Sequence, residues 1–164
     1  MSQQPQHITV SGVPEGYDAE EAAAVLAGAL GFGAAEFLAA ADSLALAVWG
    51  AGVEPEDVGD GLPRTFRPSE GLLAPDTYHF GEGTDAVAAA RHLVEVQRSR
   101  VDSVLAGPRP AATADLTPHQ LVTLASIVEA EARLAEERRR IAAVYVNRLE
   151  RGRRLEADPT VAYI

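Results

Sequence analysis

Two carboxylates, Glu129 and Glu131, close a run of helical character that begins at Leu116-Thr117-Pro118. A carboxyl held in its protonated form at neutral pH is the group that general acid chemistry requires. At roughly 100° per residue the two side chains stand about 200° apart and flank the apolar stripe on opposite sides, so they do not both face the core. Glu129 has Arg133 four positions later, in the favourable acid-before-base order, and reads as a surface pair worth a few tenths of a kcal/mol. The residues three and four positions from Glu131 are Ile127, Val128, Leu134 and Ala135, which supply no counter-charge. A carboxyl with such neighbours tends to keep its proton near neutral pH, as a general acid must. A solvated Glu near a helix C-terminus fits the same pattern, and spacing alone leaves both readings open.

The element that carries this pair has a well-marked start. Thr117 is the N-cap, Pro118 takes the first helical position, and Gln120 completes a capping box. Leu121, Leu124, Ala125, Val128 and Ala132 then recur at helical spacing and predict the buried stripe. A following helix is expected from about Ala135 to Arg151, with Ile141, Val144, Tyr145 and Leu149 on one face and Gly152 as its stop. Asn147 on that helix is either a buried hydrogen-bonding post or exposed. Asp158-Pro159-Thr160 has the form of another helix start.

Upstream, His7 to Val13 alternates and is β-branched, which predicts a short strand closed by Pro14-Glu15-Gly16 and paired with a later segment. Asp18 and Glu21 form a second capping box, opening a helix to about Leu30 with Ala22, Val25, Leu26 and Ala29 inward, ended by Gly31 and Gly33. A short helix over Ala34 to Ala41 and an apolar segment of undetermined type over Leu44 to Trp49 follow, with Trp49 read as a packing anchor in preference to a ligand platform. Gly50 to Pro63 is a loop. Arg64 to Gly83 crowds aromatics, prolines and acids together, and its Glu70 and Asp76 either serve a site or satisfy turn amides. Thr84 is expected to cap a long helix to about Leu105, with Val87, Leu93, Val94, Val96, Val101 and Val104 as apolar positions.

Composition narrows the chemistry. The 164 residues suffice for one domain with a real core. With no Cys, disulfides and thiolate chemistry are excluded. All 14 basic residues are Arg, so neither a Schiff-base lysine nor a P-loop lysine exists, and ordinary pyridoxal-phosphate chemistry is excluded. No ligand cluster with metal spacing is present, and neither a metal nor any other cofactor is expected. The formal charge of −10 divides into −12 over residues 1–97 and +2 over 98–164, a balance that disfavours nucleic acid as a partner. The arginines from Arg133 to Arg154 interleave with Glu and read as a solvated face. No run of 18 apolar residues and no signal-peptide pattern occurs, so no membrane segment is expected in this chain.

Two blocks together resemble the YceG-like family, the MltG-type endolytic murein transglycosylases. One is Glu70-Gly71-Leu72-Leu73-Ala74-Pro75-Asp76-Thr77-Tyr78. The other runs from Leu124 to Glu131 through Glu136-Glu137-Arg138, Ile141 to Val144, Asn147-Arg148-Leu149 and Gly152 to Leu155 and Asp158-Pro159-Thr160-Val161. The strand and turn at His7 to Gly16 are similar to the start of that catalytic domain. The resemblance implies an α+β fold, helix-dominated, with a small β-sheet and a helical lobe, divided into strand and turn at about 7–16, the lobe at 17–60 and a glycan-cleft part at 61–164. It implies lytic cleavage between N-acetylmuramic acid and N-acetylglucosamine within peptidoglycan strands, leaving 1,6-anhydro-muramyl ends. Glu131 matches the family's catalytic Glu, the second of the Glu-x-Glu pair, and Ser126, Tyr78, Asp76, Asn147 and Glu70 are the accompanying candidates for shaping the substrate cleft.

The same resemblance implies peptidoglycan glycan strands as partner, cell-wall synthesis or division proteins beside them, and a membrane-anchored, extracytoplasmic location. Family members carry an anchor and a LysM-like region before this domain and Tyr-Asn-Thr-Tyr-type and Gly-Leu-Pro-Pro-type stretches after it. On that comparison the chain is expected to be a C-terminally truncated piece or a short relative. A catalytically impaired peptidoglycan-binding or scaffold module is the alternative function, and a helical interaction domain a third.

Overall fold

The structure, a computed structural model, describes residues 7–9, 12–50 and 67–157. The expected strand residues 10 and 11, the loop from residue 51 to Pro63 and the Asp158-Pro159-Thr160 helix start lie outside the described residues. The chain divides into two compact units, Met1–Val53 with Arg67–Arg100, and Glu54–Phe66 with Val101–Ile164.

In the first unit, strand β1 (His7–Thr9) pairs antiparallel with β2 (His79–Gly81), with Ile8 opposite Phe80, and Val13 bridges to Asp76. The strand therefore has the later partner that its pattern required. Two short strands are marginal alone, and burial of Val13 and Phe80 in the unit's core ties them to the helices. Helix α1 (Ala19–Leu30) starts at the Asp18/Glu21 capping box, with both reciprocal bonds made, and stops at Gly31, whose φ of 82° is the left-handed value that favours glycine. Its inward residues are Ala19, Ala22, Ala23 and Leu26, whereas Ala29, expected inside, is exposed.

Helix α2 spans Ala34–Trp49 without interruption, so the expected division near Ala41 into a short helix and a separate segment does not occur. Asp42 and Ser43, which separate the two expected segments, carry polar side chains that can compete with helical bonds. Asp42 instead turns outward from its own backbone and accepts from Ser69 N at 3.2 Å, Ser69 Oγ at 2.6 Å and Arg67 Nη1 at 3.1 Å. Helix α3 (Ala86–Leu105) is capped by Asp85, whose carboxylate accepts from Ala88 N at 2.7 Å. Thr84, the expected cap, donates its hydroxyl to the Gly81 carbonyl. Its inward face is Ala86, Ala89, Ala90, Leu93 and Val94, while Val87 and Val104 are exposed. Small residues on α1, α2 and α3 fill this core, and Phe37 and Leu26 are its largest wholly buried side chains.

In the second unit, a 3₁₀ turn at Ala111–Thr113 precedes helix α4 (Pro118–Glu131), and a second at Ala135–Glu137 precedes helix α5 (Arg138–Glu150). Their core is Ile127, Val128, Tyr145 and Ala157, with Leu124, Ile141, Ala142 and Leu155 packed against it. The architecture is α+β and helix-dominated, with a two-stranded sheet among the described residues.

Candidate active site

Helix α4 begins as its sequence dictates. Gln120 N donates to Thr117 Oγ1 at 3.2 Å and Thr117 N to Gln120 Oε1 at 2.9 Å, with Pro118 in the first turn. Its buried stripe differs from expectation: Ile127 and Val128 are inside, Leu121, Leu124 and Ala132 are half-buried, and Ala125 is exposed. The stripe is rotated toward Ile127 because the larger side chain gains more from leaving water than an alanine does. That rotation puts Glu131, the last residue of α4, in a half-buried position, and Glu129 in an exposed one.

Ala132 leaves the helix at φ −81° and ψ 121°, its N–H still bonded to the Val128 carbonyl at 3.0 Å. Arg133 is thus beyond the helix end, off the helical spacing on which the expected pairing rested. Glu129 meets Arg138 instead, at 3.5 Å. Glu137 accepts from the Arg133 and Leu134 amides at 3.2 and 3.1 Å through one oxygen. Among the described residues Glu131 makes no hydrogen bond and no ion pair.

The other residues expected at the site fall in two groups. Ser126 and Asn147 share the second unit with Glu131, and both are exposed. Ser126 Oγ donates to the Thr123 carbonyl at 2.8 Å, and at helical geometry it stands about 140° around α4 from Glu131 and roughly 7.5 Å along it. Asn147 lies on the outer face of α5 beside Val144, which is 52% exposed and not part of the buried face expected for it. The next residue, Arg148, donates to the Leu155 carbonyl and to Glu156, holding Glu156 at the left-handed φ of 52° that is uncommon outside glycine.

Glu70, Asp76 and Tyr78 belong to the first unit, where each is engaged. Glu70 Oε2 accepts from Ala19 N at 3.1 Å at the start of α1. Burial pushes its carboxyl above the ordinary value, opposed by the Ala19 amide and reinforced by Asp18 and Glu20. Asp76 accepts from Thr77 N at 2.7 Å and pairs with Arg100, and those bonds, the amide first, hold its carboxyl below the usual range. Tyr78, offered by the sequence as a cleft residue, is 4% exposed, donates its hydroxyl to the Ala74 carbonyl at 2.6 Å and meets His92 edge-on with centroids 5.4 Å apart. Burial raises its phenol to about 12. Trp49 is a packing anchor, 5% exposed beneath the Arg98 guanidinium at 5.5 Å.

Sequence reasoning missed Glu137, Arg148 and the Asp42 acceptor. Glu137 lies three residues after Leu134, the cap of the 3₁₀ turn, a Leu that carries no capping side chain, so no sequence signal marked that role. Among the described residues no group of three or more His, Asp or Glu side chains is placed to hold a metal ion, and no helix is long and apolar enough to cross a membrane.

Known proteins similar to this chain include two murein transglycosylases and one solved structure. An endolytic murein transglycosylase of Bacillus subtilis (strain 168) is 33% identical over 97 residues, 58% of this chain and 26% of the relative. One of Streptococcus pneumoniae serotype 2 (strain D39 / NCTC 7466) is 33% identical over 95 residues, 57% of this chain and 16% of the relative. The matches thus span about a quarter or less of these relatives' own length. A crystal structure of a YceG-like protein from Listeria monocytogenes superposes with a TM-score of 0.70 over 97% of this chain and 52% of that one, at 24% identity, which establishes the fold. The sequence model of the YceG-like family matches residues 1–164 from end to end, and the chain belongs to that family.

Proposed function

We propose that the chain carries the acid of a lytic transglycosylase, cleaving between N-acetylmuramic acid and N-acetylglucosamine in peptidoglycan strands and leaving 1,6-anhydro-muramyl ends, with Glu131 as that acid. The observation that carries the reading is the state of the carboxylates around α4 and α5. Among those described in the second unit, only Glu131 and Glu137 are half-buried. Glu137 is spent on two backbone amides, as Glu129 and Glu156 are spent on arginines, and Glu131 has no such commitment among the described residues. The murein transglycosylases among its relatives support the same substrate class, and a peptidoglycan substrate sets the site outside the cytoplasm.

The step balances with one carboxyl. Glu131 gives its proton to the bridging oxygen as the C1–O bond breaks, and the muramyl C6 hydroxyl attacks C1 of the oxocarbenium-like centre. The carboxylate then takes up the hydroxyl proton. No water enters, and a second catalytic carboxylate is not needed. Ser126 and Asn147, exposed in the same unit, are the substrate-facing candidates, whereas the bonds made by Glu70, Asp76 and Tyr78 support a framework role for the first block.

Incubation with purified peptidoglycan and mass analysis of the products tests this. Anhydro-ended fragments that disappear in Glu131→Gln and persist in Glu129→Gln support the enzyme. Binding without cleavage by the wild-type chain points to the scaffold module, and loss of activity in Glu129→Gln alone would move the acid to the other member of the pair.

A further inference from the structure

Between α4 and α5 the chain does something its sequence gives no local reason to do. Residues 130–138 read Ala-Glu-Ala-Arg-Leu-Ala-Glu-Glu-Arg, all good helix formers, with no Gly, no Pro and no β-branched residue. On propensity α4 and α5 would fuse into one continuous helix. The backbone instead leaves the helix at Ala132, with ψ 121°, and is still extended at Leu134, with φ −123° and ψ 145°. In a continuous helix the Arg133 and Leu134 amides would donate to the carbonyls of Glu129 and Ala130. Here both donate to one oxygen of Glu137, at 3.2 and 3.1 Å. That carboxylate replaces the two helical bonds that the break gives up, and a charged acceptor makes the stronger bond. Across the same turn Arg138, the first residue of α5, reaches back to Glu129 at 3.5 Å.

We propose that Glu137 is a positioning residue for Glu131: its carboxylate holds the extended turn at 132–134 and so makes Glu131 the last residue of α4. The inference rests on the reading of Glu131 as the acid. The consequence for the chemistry is steric. In an unbroken helix, positions three and four beyond Glu131, Leu134 and Ala135, would stack along the same face as its side chain. With the turn in place the chain departs immediately after Glu131, and its carboxyl stands at a helix end with no residue of its own helix following it.

The test uses the 164-residue chain, solubilised glycan strands as substrate, and hydrogen exchange at the Arg133 and Leu134 amides. Glu137→Ala is expected to lower kcat by about tenfold or more, in the range that small misplacements of a reacting group produce, with KM nearly unchanged. Its two turn amides should lose protection. Glu137→Gln keeps an acceptor oxygen and should hold kcat within about threefold of wild type, since a neutral acceptor only weakens the bonds. A residue that exchanged protons with substrate would not be rescued in this way. Wild-type kcat in Glu137→Ala, or unchanged protection of both amides there, overturns the proposal. So does a Glu137→Gln variant as inactive as Glu137→Ala. Glu131→Gln runs alongside: if it cleaves like wild type, the Glu131 reading fails and with it any catalytic consequence of Glu137, while the amide exchange by itself still decides whether Glu137 holds the turn.

Discussion

Replacing Asp42 by Ala tests how the first unit is held together, because one carboxylate on α2 anchors the segment that starts at Arg67. Asp42 accepts three bonds, from the Ser69 amide, the Ser69 hydroxyl and Arg67, at 3.2, 2.6 and 3.1 Å. Ser69 is wholly buried, so its two donors have no recourse to water once the acceptor is gone. A buried donor left without a partner costs about 1–3 kcal/mol. The Arg67 side chain is 33% exposed, and its ion pair adds at most about 1 kcal/mol. Alanine returns about 0.5 kcal/mol in helix propensity. The net loss is therefore about 2–4 kcal/mol, allowing for rotation of the serine hydroxyl. Asp42→Asn, which retains an acceptor, should lose only about 1–2 kcal/mol. Trp49 is the only tryptophan, ends α2 in the first unit and is 5% exposed, so its fluorescence in urea reports unfolding of this unit. With m near 1–2 kcal/mol/M, the midpoint of Asp42→Ala should fall by roughly 1–4 M at constant m. Ser69→Ala in the Asp42→Ala background should cost much less than in wild type, the mark of coupled partners. A midpoint within error of wild type, or strict additivity of the two substitutions, would refute the reasoning.

Two further substitutions probe the first block. Burial raises the Glu70 carboxyl above its ordinary 4.5, so the protonated form favours the fold. That contribution is fully present below the unfolded value and is lost as pH rises through the folded one. Glu70→Gln should accordingly match wild type at acid pH and exceed it at pH 7 by under about 1 kcal/mol, the gain being screened at a half-exposed site. An equal difference at both pH values in urea melts would contradict it. Tyr78→Phe strands the buried Ala74 carbonyl and should cost about 1–2 kcal/mol in thermal melts, with cleavage per folded molecule unchanged. Lost cleavage at full stability would instead put the phenol against substrate.

What was legible in the sequence was local. The capping boxes at Asp18/Glu21 and Thr117/Gln120 each lie within four residues, and both formed with the expected partners. Gly31 and Gly152 stand at left-handed φ where the helices end. The positions that were not legible depend on groups distant in sequence. The role of Asp42 was not legible because its partners are 25 and 27 residues away. Val104 and Val144 follow helical spacing yet are 75% and 52% exposed, since apolar spacing marks a face but not whether another element covers it. The end of α4 carries no breaker residue at all, and the bonds from the turn amides to Glu137 become visible only in three dimensions. For the site, the preference for Glu131 over Glu129 came from neighbours and family resemblance, whereas the absence of an ion pair at Glu131 among the described residues required the three-dimensional arrangement.

The central claim is that Glu131 drives cleavage without water, and digestion of purified glycan strands in heavy-oxygen water measures that directly. The account predicts wild-type products whose new muramyl ends carry no heavy oxygen and weigh one water less than the hydrolytic ends, and no such products from Glu131→Gln. Heavy oxygen at the new ends, or the same anhydro products at wild-type rate from Glu131→Gln, would contradict it.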